Sequence, residues 1–218
     1  MLWINVFVSN FDHFFCITNR VEQTEGKPRF LVKVCISTAN DRAAAHPETL
    51  CAKRIMKIRN IHERIIKRPI NQVSPLLDSL SSSNDKLWPH EKWPPMKFDR
   101  ELSEGAKGGH GPIRYYVKNY KPGKKIIFEF SGPPGFHGQH FFELEMKEQK
   151  STIIRHTIDM KIKGQALISW PMLFRPLHDA LIEDSFDKLE TNLSLSQKNS
   201  NWSSWVKLLR WALKRRRA

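Results

Sequence analysis

Two neighbouring stretches, Gln139–Glu148 (QHFFELEMKE) and Thr152–Lys163 (TIIRHTIDMKIK), decide how this chain folds. In the first, His140, Phe142, Leu144 and Met146 alternate with Glu143 and Glu145. In the second, Ile154, His156, Ile158, Met160 and Ile162 alternate with Arg155, Thr157, Asp159 and Lys161. A period of two puts each set on one side of a β-strand, so both stretches read as strands with one inward and one outward face. Upstream, Ile113–Tyr120 and Lys124–Phe130 are closed by the turn signals Lys121-Pro122-Gly123 and Ser131-Gly132-Pro133-Pro134-Gly135. Such short connections make antiparallel neighbours.

Downstream, Ser169 is expected to cap a helix opened by Trp170-Pro171, with Leu173, Phe174, Leu177, Leu181 and Leu189 as its apolar stripe. Glu183, Asp184 and Asp187 on that helix are expected to be a solvated face. Further upstream, Lys57–Lys67 reads as a strand closed by Pro69. A helix capped by Asn71 follows, carrying Val73, Leu76, Leu77 and Leu80. The segment Leu87–Met96 is too rich in proline for a helix interior and reads as a loop. The sum is an α+β domain: a curved antiparallel sheet covered by a long C-terminal helix, an arrangement that encloses a pocket.

The rest of the chain bounds the possible functions. Its 218 residues suit one domain plus extensions, and 40% hydrophobic with 27% charged residues argues against disorder or a fibrous repeat. No apolar run is long enough to span a membrane. Cys16, Cys35 and Cys51 all lie in the first quarter, which fits a reducing compartment and leaves the domain without thiolate metal ligands. The net charge of +14 is concentrated in residues 53–68 and 198–218, so the body is nearly neutral and a nucleic-acid groove is not expected. Residues 1–52, with β-like runs at Leu2–Val8 and Arg29–Ile36, read as a weakly structured extension or as a segment outside the natural domain. Residues 53–197 form the domain and 198–218 a basic amphipathic tail. The start of the chain lacks the basic region of a signal peptide.

The motif run Ile61-His62-Glu63-Arg64, Leu87-Trp88-Pro89, Trp93-Pro94-Pro95-Met96, Gly108-Gly109-His110-Gly111-Pro112-Ile113-Arg114-Tyr115, Pro134-Gly135-Phe136 and Phe174-Arg175-Pro176-Leu177-His178-Asp179-Ala180-Leu181 resembles bacterial members of the START-like, helix-grip superfamily (SRPBCC), the polyketide cyclase/dehydrase and lipid-transport relatives. The resemblance spans about residues 54–191. It implies a hydrophobic cavity between sheet and helix but no single activity, because carriers, receptors, cyclases and oxygenase domains share the fold.

Candidate site residues follow from face and type. His140 and His156 point inward and His178 edges the helix stripe, so the three can converge as acid or base in ring closure or dehydration. Equally, each can be a hydrogen-bonded pocket histidine. Trp88, Trp93, Met96, His110, Tyr115, Phe128, Phe130, Phe142, Ile158, Met160, Phe174, Leu177 and Leu181 are the candidate cavity lining. The Gly-rich Gly105–Gly111 lacks the features of a phosphate loop and reads as a tight loop beside the pocket mouth. No metal site is expected, since no His-Glu-x-x-His spacing occurs, and no cofactor. In the tail, Trp202, Trp205, Lys207, Arg210, Lys214 and Arg215 fit an interfacial membrane helix or a helix docked on the domain. The expected protein is a cytoplasmic binder or carrier of a lipid, isoprenoid quinone or polyketide, peripheral at the inner membrane face. The alternative is a cyclase or dehydratase.

Overall fold

The structure is a computed structural model that describes residues 15–22, 29–36, 55–195 and 200–215. The chain divides into two compact units, residues 1–47 and 48–218. In the first, β1 (Phe15–Glu22) and β2 (Arg29–Ile36) pair antiparallel, Phe15 opposite Ile36. The expected run Leu2–Val8 lies outside the described residues.

The second unit holds seven strands in the order β3-β9-β8-β7-β6-β5-β4, every pair antiparallel. They are β3 (Ile55–Ile66), β4 (Lys97–Phe98), β5 (Lys107–His110), β6 (Ile113–Lys121), β7 (Lys125–Gly132), β8 (Phe136–Glu148) and β9 (Ser151–Lys163). From β4 to β9 the sheet is a meander. The first strand, β3, returns to the far edge beside β9, after which the chain crosses back through α1 (Ile70–Asp78) and the Trp-Pro segment. The alternation holds as expected: Phe142, Leu144, Ile154, His156, Ile158, Met160 and Ile162 are all buried. There are two exceptions: Thr157, expected to face outward, is buried, and Met146 departs in the other direction. It is exposed, because the β8–β9 register shifts between Met146 and Glu148 at the hairpin end.

Three boundaries differ from expectation. The first helix begins at Ile70 behind an extended Pro69, with no side-chain cap, so Asn71 is inside it. The Gly-rich segment is not a free loop: Lys107–His110 is strand β5, paired with β4 and β6. A Cβ on Gly108 would sit 2.0 Å from the Lys97 carbonyl oxygen, so glycine is what lets the strands meet. The long helix starts four residues early, at Ala166 rather than Trp170. It runs without a break through α2 (Ala166–Ser169), a wide π-type turn at Trp170–Phe174 and α3 (Arg175–Asn192). Pro171, which has no N–H to give, falls in the widened turn. Last, α4 (Ser204–Arg215) closes the chain.

Two buried clusters pack between sheet and helices. The larger joins Val73, Leu77, Leu87, Trp88, Tyr115, Phe128, Phe142, Ile154, Phe186 and Leu189. The smaller joins Phe136, Ile158, Met160, Ile162, Ala166 and Trp170. Burying each such side chain contributes about 1.5–3 kcal/mol, so two clusters hold the helix at both ends.

The acidic face of the long helix is the largest departure from expectation. Asp184 and Asp187 are 1% and 4% exposed, and only Glu183 keeps substantial contact with solvent. The alternate residues Asn60, His62 and Arg64 of β3 face Asp179, Glu183, Asp187 and Glu190, which recur along one side of α3. Arg64 donates to Glu183 at 2.6 Å, to Asp187 at 2.7 Å and to Glu190 at 2.9 Å. Asp184 accepts from Lys92 Nζ (2.8 Å) and from the indole N–H groups of Trp93 (2.7 Å) and Trp202 (2.8 Å). Carboxylates this buried persist because every one is paired and hydrogen-bonded.

Candidate functional site: a histidine-walled cavity

Between the two clusters lies a cavity of about 460 Å³. The sheet supplies Phe130, Phe136, His140, His156 and Ile158, and the long helix Trp170, Leu173, Phe174, Leu177, His178, Leu181 and Ile182. The Trp-Pro segment adds Trp88 and His90 to Pro95, and His110 to Ile113 completes the wall together with Arg210, Leu213 and Lys214 of α4. The volume lies within the usual range for small-molecule sites.

Of the residues singled out from sequence, Trp88, Trp93, His110, Phe130, His140, His156, Ile158, Phe174, Leu177, His178 and Leu181 line this space. Met96, Tyr115, Phe128, Phe142 and Met160 do not. They are buried in the packed clusters, on the right face of the structure but away from the void. Phe136, Trp170 and Leu173 were missed as lining, and so was Ile182, which adjoins the predicted stripe.

Four histidines face the cavity as a connected group. His140 Nδ1 lies 3.3 Å from His156 Nε2, and the His156 and His178 rings are 5.0 Å apart. His110 Nδ1 is 2.9 Å from the Tyr115 hydroxyl, whose ring stands edge-on to His140 at 4.8 Å. Burial pushes His110 down to about 3, aided by the charges of His178 and Arg114. It pushes His140 and His156 well below the usual value, again reinforced by neighbouring histidines. His178 is lowered too, since its burial outweighs the hydrogen bond to Asp179. These imidazoles are therefore neutral near pH 7. Yet His140 Nε2, His156 Nδ1 and His178 Nε2 are buried without a hydrogen-bond partner among the described residues.

The neutral state makes the chemistry of those three atoms definite. Whichever ring holds the proton shared by His140 and His156, one of their two outer nitrogens is an N–H and the other a lone pair. His178 gives its Nδ1 proton to Asp179 Oδ1 at 3.3 Å, which leaves a lone pair at Nε2. One donor and two acceptors thus stand on three of the cavity-lining residues, in a wall that is largely apolar apart from these histidines and the rim residues His90, Glu91, Lys92, Arg210 and Lys214.

Behind His178 lies a histidine of the opposite kind. Burial alone would lower His62, but hydrogen bonds to Asp179 (Nε2 to Oδ1, 3.1 Å) and Glu183 (Nδ1 to Oε1, 2.9 Å), with their charges, raise it to about 9. Asp179 stays well below the usual carboxylate range, because hydrogen bonds from His178 and His62 overcome its burial. Neither His62 nor Asp179 was a sequence candidate; the signals were Asn60-x-His62-x-Arg64 on one strand face and carboxylates four apart on the helix. Ligating atoms of His62, His178 and Asp179 lie within 4.8 Å of one another.

The tail helix packs against this body. Trp202 and Arg210 turn inward, with the Arg210 guanidinium 4.1 Å from the Trp93 ring and 4.2 Å from the Trp202 ring. Trp205 donates to the Met172 carbonyl at 2.9 Å. Leu208, Trp211 and Leu213 remain exposed, and so do Lys207, Lys214 and Arg215.

Among solved structures, the chain is similar to norcoclaurine synthase from Thalictrum flavum in complex with dopamine and hydroxybenzaldehyde. The TM-score is 0.50 at 10% identity, over 73% of this chain and 100% of that one. A second structure of the synthase from Thalictrum flavum gives 0.50 at 11% identity, over 72% and 97%. The likeness shows the fold: an antiparallel sheet gripping a long helix, the helix-grip architecture. No protein-family model matches the sequence, and no curated protein matches it.

Proposed function

We propose that the protein binds a largely apolar small molecule in the histidine-walled cavity and carries it. A lipid, an isoprenoid quinone and a polyketide-like ring system are the candidate cargoes. The observation that carries this reading is the pairing of an apolar wall with three buried, unpartnered imidazole nitrogens. An unsatisfied buried polar atom costs about 1–3 kcal/mol, so a ligand that supplies the missing partners gains affinity from each. One donor and two acceptors match a ring bearing both hydroxyl and carbonyl groups, which favours a hydroxylated polyketide-like ring, or a quinone in its reduced, hydroxyl-bearing form, over a plain acyl chain.

The tail supports exchange of cargo at an anionic membrane. Its helix borders the cavity through Arg210, Leu213 and Lys214, and it presents Leu208 and Trp211 to solvent among basic residues. Each such base near an anionic surface contributes about 1 kcal/mol. Among the described residues no helix is long and apolar enough to cross a membrane.

A second reading, a cyclase or dehydratase, is favoured by one contact. Asp179 holds His178 Nδ1, and the free Nε2 lone pair is then oriented as a base toward whatever occupies the cavity.

Native mass spectrometry of the full chain, followed by denaturing extraction, tests the leading reading. We expect an apolar molecule to be retained by the wild type and lost from Phe174→Glu. An empty wild type that also fails to take up ubiquinone, fatty acid or a naphthoquinone would overturn it. If the extracted molecule is instead turned over, and turnover disappears in His178→Ala while retention survives, the enzyme reading replaces the carrier. Flotation with phosphatidylglycerol vesicles tests the tail: Leu208→Ser/Trp211→Ser should abolish co-flotation, and unchanged flotation would refute membrane contact.

A further inference from the structure

Three N–H groups converge on a single oxygen at the seam between β3 and the long helix. Asp179 Oδ1 lies 3.0 Å from Asn60 Nδ2, 3.1 Å from His62 Nε2 and 3.3 Å from His178 Nδ1. A carboxylate oxygen has about two lone pairs to offer, so three donors exceed what it can accept. The other oxygen of the pair, Oδ2, is 3.7 Å from Arg175 Nε, an ion pair that leaves the three shorter contacts on Oδ1. On the same spot the Asn60 carbonyl oxygen, Oδ1, is buried with no partner.

We propose that Asn60, His62, His178 and Asp179 form a binding site for a divalent first-row transition metal of the Zn²⁺ class. Ligands about 2.1 Å from such an ion stand roughly 3.0–3.4 Å from one another, the spacing that Asp179 Oδ1 already keeps from both imidazoles. Turning the Asn60 amide about its last bond exchanges Nδ2 for Oδ1, which brings the unpartnered oxygen onto the ion and completes an N₂O₂ set. Two imidazoles select a transition metal over Mg²⁺ or Ca²⁺, which prefer oxygen alone.

The surroundings are those a metal site needs. Metal-bound histidine ordinarily gives its second ring N–H to a carboxylate. His62 does so through Nδ1 to Glu183 Oε1 at 2.9 Å, and Arg64 Nη2 fixes the other Glu183 oxygen at 2.6 Å. On binding, His62 Nε2 and His178 Nδ1 each present a lone pair to the ion. For His62 this releases one proton to solvent; for His178 the ring proton moves to Nε2, in the cavity. Metal at the seam would therefore convert His178 Nε2 from acceptor to donor, so that occupancy of one site alters the hydrogen-bonding character of the other.

The test uses the untagged full chain, stripped with chelator and titrated with Co²⁺ and Zn²⁺. We expect one equivalent of Co²⁺ to give a ligand-field spectrum that Zn²⁺ displaces. His62→Gln and Asp179→Asn should each weaken binding at least 100-fold, and Glu183→Gln about 10- to 100-fold. His140→Ala, which alters only the cavity, should leave it unchanged. A wild type with no saturable Co²⁺ or Zn²⁺ binding overturns the proposal, as does binding that persists in both His62→Gln and Asp179→Asn. Should those variants fail to fold, the imidazole ¹⁵N resonances of wild-type protein decide. Zn²⁺ must shift His62 and His178 directly; shifts confined to other histidines overturn the site.

Discussion

The seam between β3 and the long helix and the cavity beside it treat polar groups in opposite ways. At the seam, Arg64 bonds three carboxylates, with His62 and Ser200 helping, and on the same helix Asp184 gathers three donors from the Trp-Pro segment and the tail. In the cavity, a few ångströms away across His178, three imidazole nitrogens have no partner. Both regions place polar residues out of water, yet among the described residues the seam leaves only Asn60 Oδ1 unanswered. The satisfied set is architecture, because it ties strand, loop and tail to one helix. The unsatisfied set costs stability unless a ligand or ordered water completes it.

Acidification should separate the two regions most strongly. Histidines that stay neutral when folded but titrate near 6.5 when unfolded bind fewer protons in the folded state, so stability falls as pH drops below 6.5. His110 keeps that slope down to about 3, and His140, His156 and His178 add to it. Each contributes up to about 1.4 kcal/mol per pH unit. His62 has the contrary sign: raised to about 9, its contribution is complete below 6.5 and is lost as pH rises from there through 9. Urea unfolding across pH 5–10 should thus show a maximum near 6.5–7; a profile flat below 6.5 would mean that the cavity histidines are charged.

Breaking the seam comes next. Asp184→Ala leaves the indole N–H groups of Trp93 and Trp202 without their acceptor and removes an ion pair from Lys92, and should cost about 3–5 kcal/mol by denaturant unfolding. Arg64→Ala takes a donor from Glu183, Asp187 and Glu190, of which Glu183 keeps His62 and Asp187 keeps Ser200, and should cost about 3 kcal/mol. The smallest effect has the reverse sign. Replacing both His140 and His156 by Phe and Leu removes two unpartnered groups, and should raise stability by about 1 kcal/mol while weakening ligand retention. A double variant that loses stability and keeps its ligand would show that the imidazoles serve packing rather than binding.

Much of this was legible in the sequence, and the reasons mark the limit. Alternation in 139–163 disclosed strand, face and the inward direction of His140 and His156, because a period of two needs only local residues. It could not say where along the face the void lies. Phe142 and His140 share a face, but Phe142 packs under α1 and Phe186 while His140 opens on the cavity. The short strand β5 was hidden because Lys-Gly-Gly-His has no side-chain period. Asp184 looked like surface because its partners Trp93 and Lys92 are more than 90 residues away in the chain, and nothing local marks a carboxylate as paired.

The indoles have a practical consequence. Trp88, Trp93 and Trp170 line the cavity, and Trp93 also stacks on the guanidinium that holds the tail in place. Three of the seven tryptophans therefore look directly at the space a ligand would fill. The protein carries its own optical gauge: ultraviolet emission should change colour and intensity when the cavity fills or the tail lets go, with no dye attached.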